Sequence, residues 1–319
     1  YPRFIVPLMG AAIIGLVALL VWGAVTNGAK RWASADGSFQ VSEAVKIVVV
    51  LYVAHWLATR QEQLARIGFG LIPFYIIVGL VSGLIAIQPD LSTAILIAVV
   101  AVAMFFVAGA KAIQLSVSAS VLGGMVVGVL VLFVPWRLSR LQTFLNPLAN
   151  CSSDGFQACQ MIKALSNGGL NGQGVGTVYQ TVGYVPAAHT DAIFSVVGND
   201  FGLMGCAVTI GLYLLFVGRG LQVARAAPDL FGKLLATGIT VWIVAQAMMN
   251  IGSATGSLPL IGIPLPLISF GGSSMLSTLT GVGILFNIAR ARPSKEPEGA
   301  NHPVRRGDRR ARLSLAGGR

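Results

Sequence analysis

Asp191 closes a short polar turn, Ala187-Ala188-His189-Thr190-Asp191, immediately before an apolar run that begins at Ala192. A carboxylate in that position has two readings. Thr190 can cap the following helix, with Asp191 in the first turn, where the helix dipole favours negative charge. Alternatively Asp191 is a chemical group, because an ionisable side chain at the edge of a membrane span is costly and is a functional candidate by default.

Three further clusters pose the same choice. Glu43 and Lys46 are three residues apart and share one helical face, a short way beyond Lys30, Arg31 and Trp32. An interfacial ion pair with Trp32 as anchor is the plainer account. Asp90, in Gln88-Pro89-Asp90-Leu91, separates two apolar runs and stands where an aspartate commonly starts a helix. Between Asn250 and Ser274, Pro259, Pro264 and Pro266 recur among glycines, which excludes a continuous helix. Broken backbone at membrane depth has to line a cavity or pack on protein. Gly168-Gly169-Leu170-Asn171-Gly172-Gln173-Gly174-Val175-Gly176 adds a loop suited to tight bends or to close approach of a ligand. A phosphate-cradling nest is open, but no lysine-serine ending follows, so this is not a nucleotide-binding loop.

The elements that position these residues are membrane spans. Hydrophobic residues make up 55% of the 319, charged residues 10%, and mean hydropathy is +0.78, whereas soluble domains are about a quarter charged. Eight apolar runs of spanning length lie at roughly 3–26, 41–59, 67–87, 91–109, 114–135, 192–218, 231–256 and 267–289. No alternating barrel pattern accompanies them, so the expected class is an all-α, polytopic integral membrane protein.

Orientation follows from charge. The net charge is +11, and Arg290, Arg292, Lys295, Arg305, Arg306, Arg309, Arg310, Arg312 and Arg319 crowd the end of the chain. By the positive-inside rule residues 291–319 form a basic cytoplasmic tail, expected to be disordered, after a transmembrane domain at 1–290. A tail near anionic lipid explains that charge better than nucleic acid does. Counting back, roughly 27–40, 88–90, 136–190 and 257–266 face outward. All four polar clusters therefore lie on one side, which suggests an outward-facing cavity. The loop 136–190 is far longer than a connector needs to be, and loops of that length tend to be functional. It holds Cys151 and Cys159, either bridged or two free thiols, while Cys206 lies alone in a span.

Read in order, six motifs resemble the SEDS family of bacterial shape, elongation, division and sporulation proteins, which includes FtsW, RodA and SpoVE. They are NGAKRW, QVSEAVK, QPDLSTA, GGLNGQGVG, HTDAIFSVVG and NIGSATGSLPLIGIPLPLISFGGSS, spanning residues 27 to 274. The GGSS ending leans toward the FtsW branch. Departures are Val41 where the family usually has Pro, Ser92 for Gly, Ala187 for an acidic residue, and Asn199-Asp200 for a Glu-Glu pair. Family members have ten spans, so the chain is expected to lack the first two, an inference in keeping with its opening on Tyr1 rather than Met.

The resemblance implies a peptidoglycan glycosyltransferase that polymerises lipid II on the outer face of the bacterial cytoplasmic membrane, in division or elongation. It places the essential aspartate on Asp191 and associates Arg31, Glu43 and Lys46 with a central cavity. Asp90, His189 and Ser273, which stand in the matching motifs, are further expected substrate-binding positions. Making a β-1,4 bond from an α-linked lipid diphosphate inverts the sugar centre, and one-step inversion needs a base for the acceptor hydroxyl. Asp191 is the expected base, with Lys46, Arg31 and Arg137 or Arg140 neutralising the diphosphates, alone or with a divalent ion such as Mg or Mn. Expected partners are a class B penicillin-binding protein and other divisome or elongasome membrane proteins, with no nucleic acid. A lipid II flippase and a non-catalytic division or elongation scaffold are the rival classes.

Overall fold

The computed structural model describes residues 2–22, 24–26, 29–32, 40–64, 67–111, scattered positions between 113 and 124, 144–145, 151–152 and 155–291. Helix α1 covers Pro2–Trp22 and is followed by a short antiparallel hairpin, β1 Ala24–Thr26 with β2 Ala29–Trp32. Then come α2 Val41–Thr59, α3 Ile72–Ile87 and α4 Leu91–Val107. Beyond position 155 lie α5 Phe156–Gly168, α6 Val178–Thr181, α7 Ile193–Ala226, α8 Leu230–Ala254 and α9 Gly272–Arg290. The expected all-α class thus acquires one small hairpin, in the segment after α1.

Five of these helices, α1, α2, α7, α8 and α9, are long and apolar enough to cross a membrane, and α3 and α4 are shorter apolar helices. Seven of the eight apolar runs therefore correspond to helices. The eighth, at 114–135, falls largely outside the described residues, as do Arg137, Arg140 and the tail from 292. Two boundaries differ from the hydropathy reading for physical reasons. The run at 67–87 opens with a wide π turn, Ile67–Leu71, before α3, because Pro73 fits only the first turn of a helix. The run at 267–289 becomes helical only from Gly272, since the prolines upstream cannot donate to a helical ladder.

Helix α8 is the central post. Its most apolar 18-residue window is 72% buried, against 22% for that of α7, and it packs on α7, α4, α2 and α9. Small residues allow that closeness: a Cβ on Gly238 would lie 2.6 Å from Met104 Sδ and 2.7 Å from Val50 Cγ1. The main core joins α2, α3, α4 and α8, with Phe74 stacked on Phe105 at a centroid distance of 4.6 Å and Trp242 buried beside them. On the other side of α8, Met161, Ala164, Phe194, Ala247 and Ile251 form a second cluster that binds α5 and α7 to it.

Cys151 and Cys159 are joined, with their Cα atoms 5.5 Å apart, and the bridge closes the entry to α5. Cys206 is free and buried in α7.

Candidate functional site

Asp191 does not sit in the first turn of α7. The helix starts at Ile193, its N-cap position is Ala192, and no side chain caps it there. The Thr190 hydroxyl turns back to the carbonyl of Ala187 at 3.4 Å instead. The capping account of this motif is thereby corrected. What organises the turn is Ala187, held at a φ of 52°, whose carbonyl accepts the Thr190 and Ala192 amides, each at 3.0 Å.

The last three residues of the turn, His189, Thr190 and Asp191, are gripped by their backbones. The carbonyl of His189 accepts the Phe270 amide at 2.8 Å. That of Thr190 accepts the Ser269 hydroxyl at 2.6 Å, and that of Asp191 accepts Asn250 Nδ2 at 2.8 Å. Three consecutive carbonyls thus have three different donors, two from the proline-rich segment and one from α8. The same segment is tied to α8 directly. Asn250 Nδ2 also donates to Ile263 O at 2.8 Å, and Gln246 Nε2 to Pro264 O at 2.9 Å. The Ser253 hydroxyl accepts the Ile261 amide at 3.0 Å, and Tyr213 of α7 donates its hydroxyl to Pro266 O. Backbone that cannot be helical has found its partners in side chains, as membrane depth requires.

The Asp191 carboxylate comes up against this segment at a glycine. A Cβ built on Gly262 would lie 3.3 Å from Asp191 Oδ2. The carboxylate therefore abuts bare backbone, in a partly exposed position at the junction of α7, α8 and the broken segment.

Glu43 and Lys46 form a second polar centre. Lys46 Nζ lies 2.8 Å from Glu43 Oε1 and donates to Gln246 Oε1, also at 2.8 Å. Trp242 Nε1 donates to the same Gln246 oxygen at 2.9 Å, and the Lys46 ammonium stands 5.2 Å from the Trp242 ring centroid. The pair is not the interfacial anchor of the plainer reading, since Glu43 is 3% and Lys46 2% exposed. Gln246 and Asn250 are four residues apart on α8, one turn and about 6 Å along its axis. One face of α8 thus joins the Glu43–Lys46 pair to the Asp191 turn.

The other expected positions lie as follows. Asp90 is buried and caps α4 through Thr93 N at 3.1 Å, while its second oxygen accepts Gln40 Nε2 at 3.0 Å and Ser42 Oγ at 3.3 Å. It ties the start of α2 to the start of α4. His189 is exposed, with Nε2 3.4 Å from Tyr179 OH, and Ser273 is buried in the first turn of α9. The backbone of Arg31 belongs to β2; its side chain lies outside the described residues. Gln246, Asn250, Gly262 and Ser269 escaped the sequence reading as site residues, although polar side chains one turn apart on an apolar helix are the signal that finds the first two. Among the described residues no three His, Cys, Asp or Glu side chains gather, so protein groups alone build no cage there for a divalent ion.

The glycine-rich loop proves to be a docking surface for α7 rather than a phosphate nest. Gly172 N donates to Gly168 O, Gln173 N to Asn199 O, Gly174 N to Asp200 O and Gly176 N to Asp200 Oδ2, all within 3.1 Å. The loop seats on a break in α7 at Gly202, whose φ is 65°. The Asn199 amide adds bonds to Asn167, Thr177, Thr181 and Asp200.

Comparison with known proteins decides the family. The FtsW/RodA/SpoVE family, described as cell cycle protein, matches residues 1–294. The chain belongs to the FtsW/RodA/SpoVE family. Among curated members, the probable peptidoglycan glycosyltransferase FtsW of Trichlorobacter lovleyi is 38% identical over 290 residues, covering 90% of this chain and 76% of that protein. The Bacillus subtilis protein of the same name is 36% identical over 289 residues, 87% and 71% of the two chains. Of solved structures, one from work on the coordination of polymerization and crosslinking by a peptidoglycan synthase complex aligns with a TM-score of 0.77. It is 28% identical and covers 92% of this chain and 82% of that one. The rod shape determining protein RodA of Thermus thermophilus aligns at 0.65 with 27% identity, covering 92% and 81%. This FtsW/RodA/SpoVE member is, like them, a multi-pass helical membrane protein.

Proposed function

We propose that this chain is a peptidoglycan glycosyltransferase that polymerises lipid II, with Asp191 as the general base. The observation that carries the reading is the grip on His189-Thr190-Asp191, whose three successive carbonyls are each held by a separate donor. A fold that commits so many donors to one turn holds the backbone that presents the Asp191 carboxylate, which supports a role that needs a positioned base. The activity named for the curated relatives supports the same reading.

In the proposed step the carboxylate takes the proton of the acceptor's 4-hydroxyl. That oxygen forms a bond to C1 of the donor sugar as the C1–phosphate oxygen bond breaks, and undecaprenyl diphosphate departs with the bonding electrons. The departing group is already anionic, so no acid is needed, in contrast to glycoside hydrolysis. Lys46 is engaged by Glu43 and Gln246, and its proposed part is to hold Gln246 against the broken segment. Arg31 and Arg137 or Arg140 are the cations proposed for the diphosphate. The reading includes a site on the outer face of the cytoplasmic membrane and a cytoplasmic C-terminus. A class B penicillin-binding protein is the proposed partner; the match to a synthase complex that couples polymerization with crosslinking supports it.

The test is lipid II polymerisation by purified Asp191→Asn. That variant keeps shape and loses the proton acceptor, so glycan strands should vanish while folding and insertion persist. Near-parental strand synthesis refutes the base. Lipid II translocation by the parent without any glycan product would assign the chain to transport.

A further inference from the structure

We infer that Asn250 is a positioning residue for Asp191, acting as the pin that holds the reacting turn against the broken segment. The inference rests on the proposed role of Asp191 and adds a residue to it. Asn250 is fully buried, and both of its amide hydrogens are committed, one to Asp191 O and one to Ile263 O, each at 2.8 Å. Its Oδ1 is buried with no hydrogen-bond partner among the described residues. Two carbonyls facing the nitrogen fix the amide's orientation, because the flipped amide would set oxygen against both of them.

An unsatisfied buried acceptor is a cost, and a leucine would fill the same space without it. The fold keeps the amide where it joins two stretches of irregular backbone. One ends in Asp191; the other runs through Gly262 and Ile263. Gly262 is the residue whose missing Cβ would stand 3.3 Å from Asp191 Oδ2. The one amide thus bridges the residue that bears the carboxylate and the backbone the carboxylate abuts. The neighbouring grips reach His189 and Thr190, and Asn250 holds the carbonyl of Asp191.

The inference is tested on the full-length protein in two ways. First, Asn250→Leu, which removes both donors at similar volume, is assayed for lipid II polymerisation with kcat and KM separated. The expected result is a fall in kcat of roughly ten- to hundredfold with KM within about twofold, as for a base displaced by about an ångström. Second, the pair Asp191→Cys and Gly262→Cys is oxidised in membranes, and the 191–262 crosslink is quantified by peptide mapping, with and without Asn250→Leu. Crosslinking should be rapid in the first background and at least several-fold slower in the second.

Unchanged kcat, or equal crosslinking in the two backgrounds, overturns the assignment. If Asn250→Leu fails to insert, Asn250→Ser, which shortens the donor, replaces it in both measurements under the same criteria. The crosslink needs no activity, so it decides on Asn250 even if Asp191→Asn proves that another group is the base.

Discussion

Gly172 and Asp200 are in backbone contact: a Cβ on the glycine would fall 2.2 Å from the aspartate carbonyl oxygen. Gly172 also has a φ of +84°, which an L side chain adopts only under strain. The contact seats the loop 168–176 on the break in α7. Gly172→Ala should therefore destabilise the fold by about 2–5 kcal/mol, combining left-handed strain with a forced backbone shift. A clear drop in apparent melting temperature in detergent is the expected reading, whereas an unchanged one would mean that the loop is not seated as described.

The buried Glu43–Lys46 pair gives an asymmetric prediction. Lys46→Met leaves the Glu43 carboxylate buried without its cation and should cost about 3–5 kcal/mol. Adding Glu43→Gln removes the stranded charge and should restore much of that loss. Thermal unfolding of the two single variants and the double variant measures the coupling. If the three effects are additive, the pair is not an isolated buried ion pair.

The disulfide predicts a labelling pattern. In denatured, unreduced protein from intact membranes only Cys206 should react with a maleimide, since Cys151 and Cys159 are joined. Serine at both bridged positions should lower stability by roughly 2–3 kcal/mol on the chain-entropy account. Labelling of all three thiols would contradict the bridge.

Ala187 is a position near the site where a substitution should stabilise. Its φ of 52° is left-handed and its side chain is exposed. Ala187→Gly removes about 1 kcal/mol of backbone strain, partly offset by the greater freedom of glycine in the unfolded chain. A small rise in melting temperature with polymerisation retained is expected; a fall would show that the alanine methyl has contacts that matter.

The sequence by itself determined the membrane class, the positions of seven apolar helices and the family. Hydropathy over some twenty residues is a local property that survives whatever the helices later touch. It also determined that no continuous helix runs from Asn250 to Ser274, because proline breaks a ladder regardless of context. It marked Asp191, Glu43, Lys46 and Asp90 as costly residues needing a reason, and it left open whether Cys151 and Cys159 pair. Tertiary structure alone decided what those reasons are. Asp90 is occupied as a cap and tether, Lys46 is enclosed by Glu43, Gln246 and Trp242, and Asp191 lies ahead of its helix rather than within it. Asn250 and Gly262 stood within a candidate cluster but were not singled out as site residues, since their part depends on two non-helical segments meeting across α8. Glycines that read equally well as a ligand cradle or a close contact became the latter once their amides had found Asn199 and Asp200. Local propensity fixes where a chain must be helical, but a buried polar group takes its meaning from the partner that long-range packing brings to it.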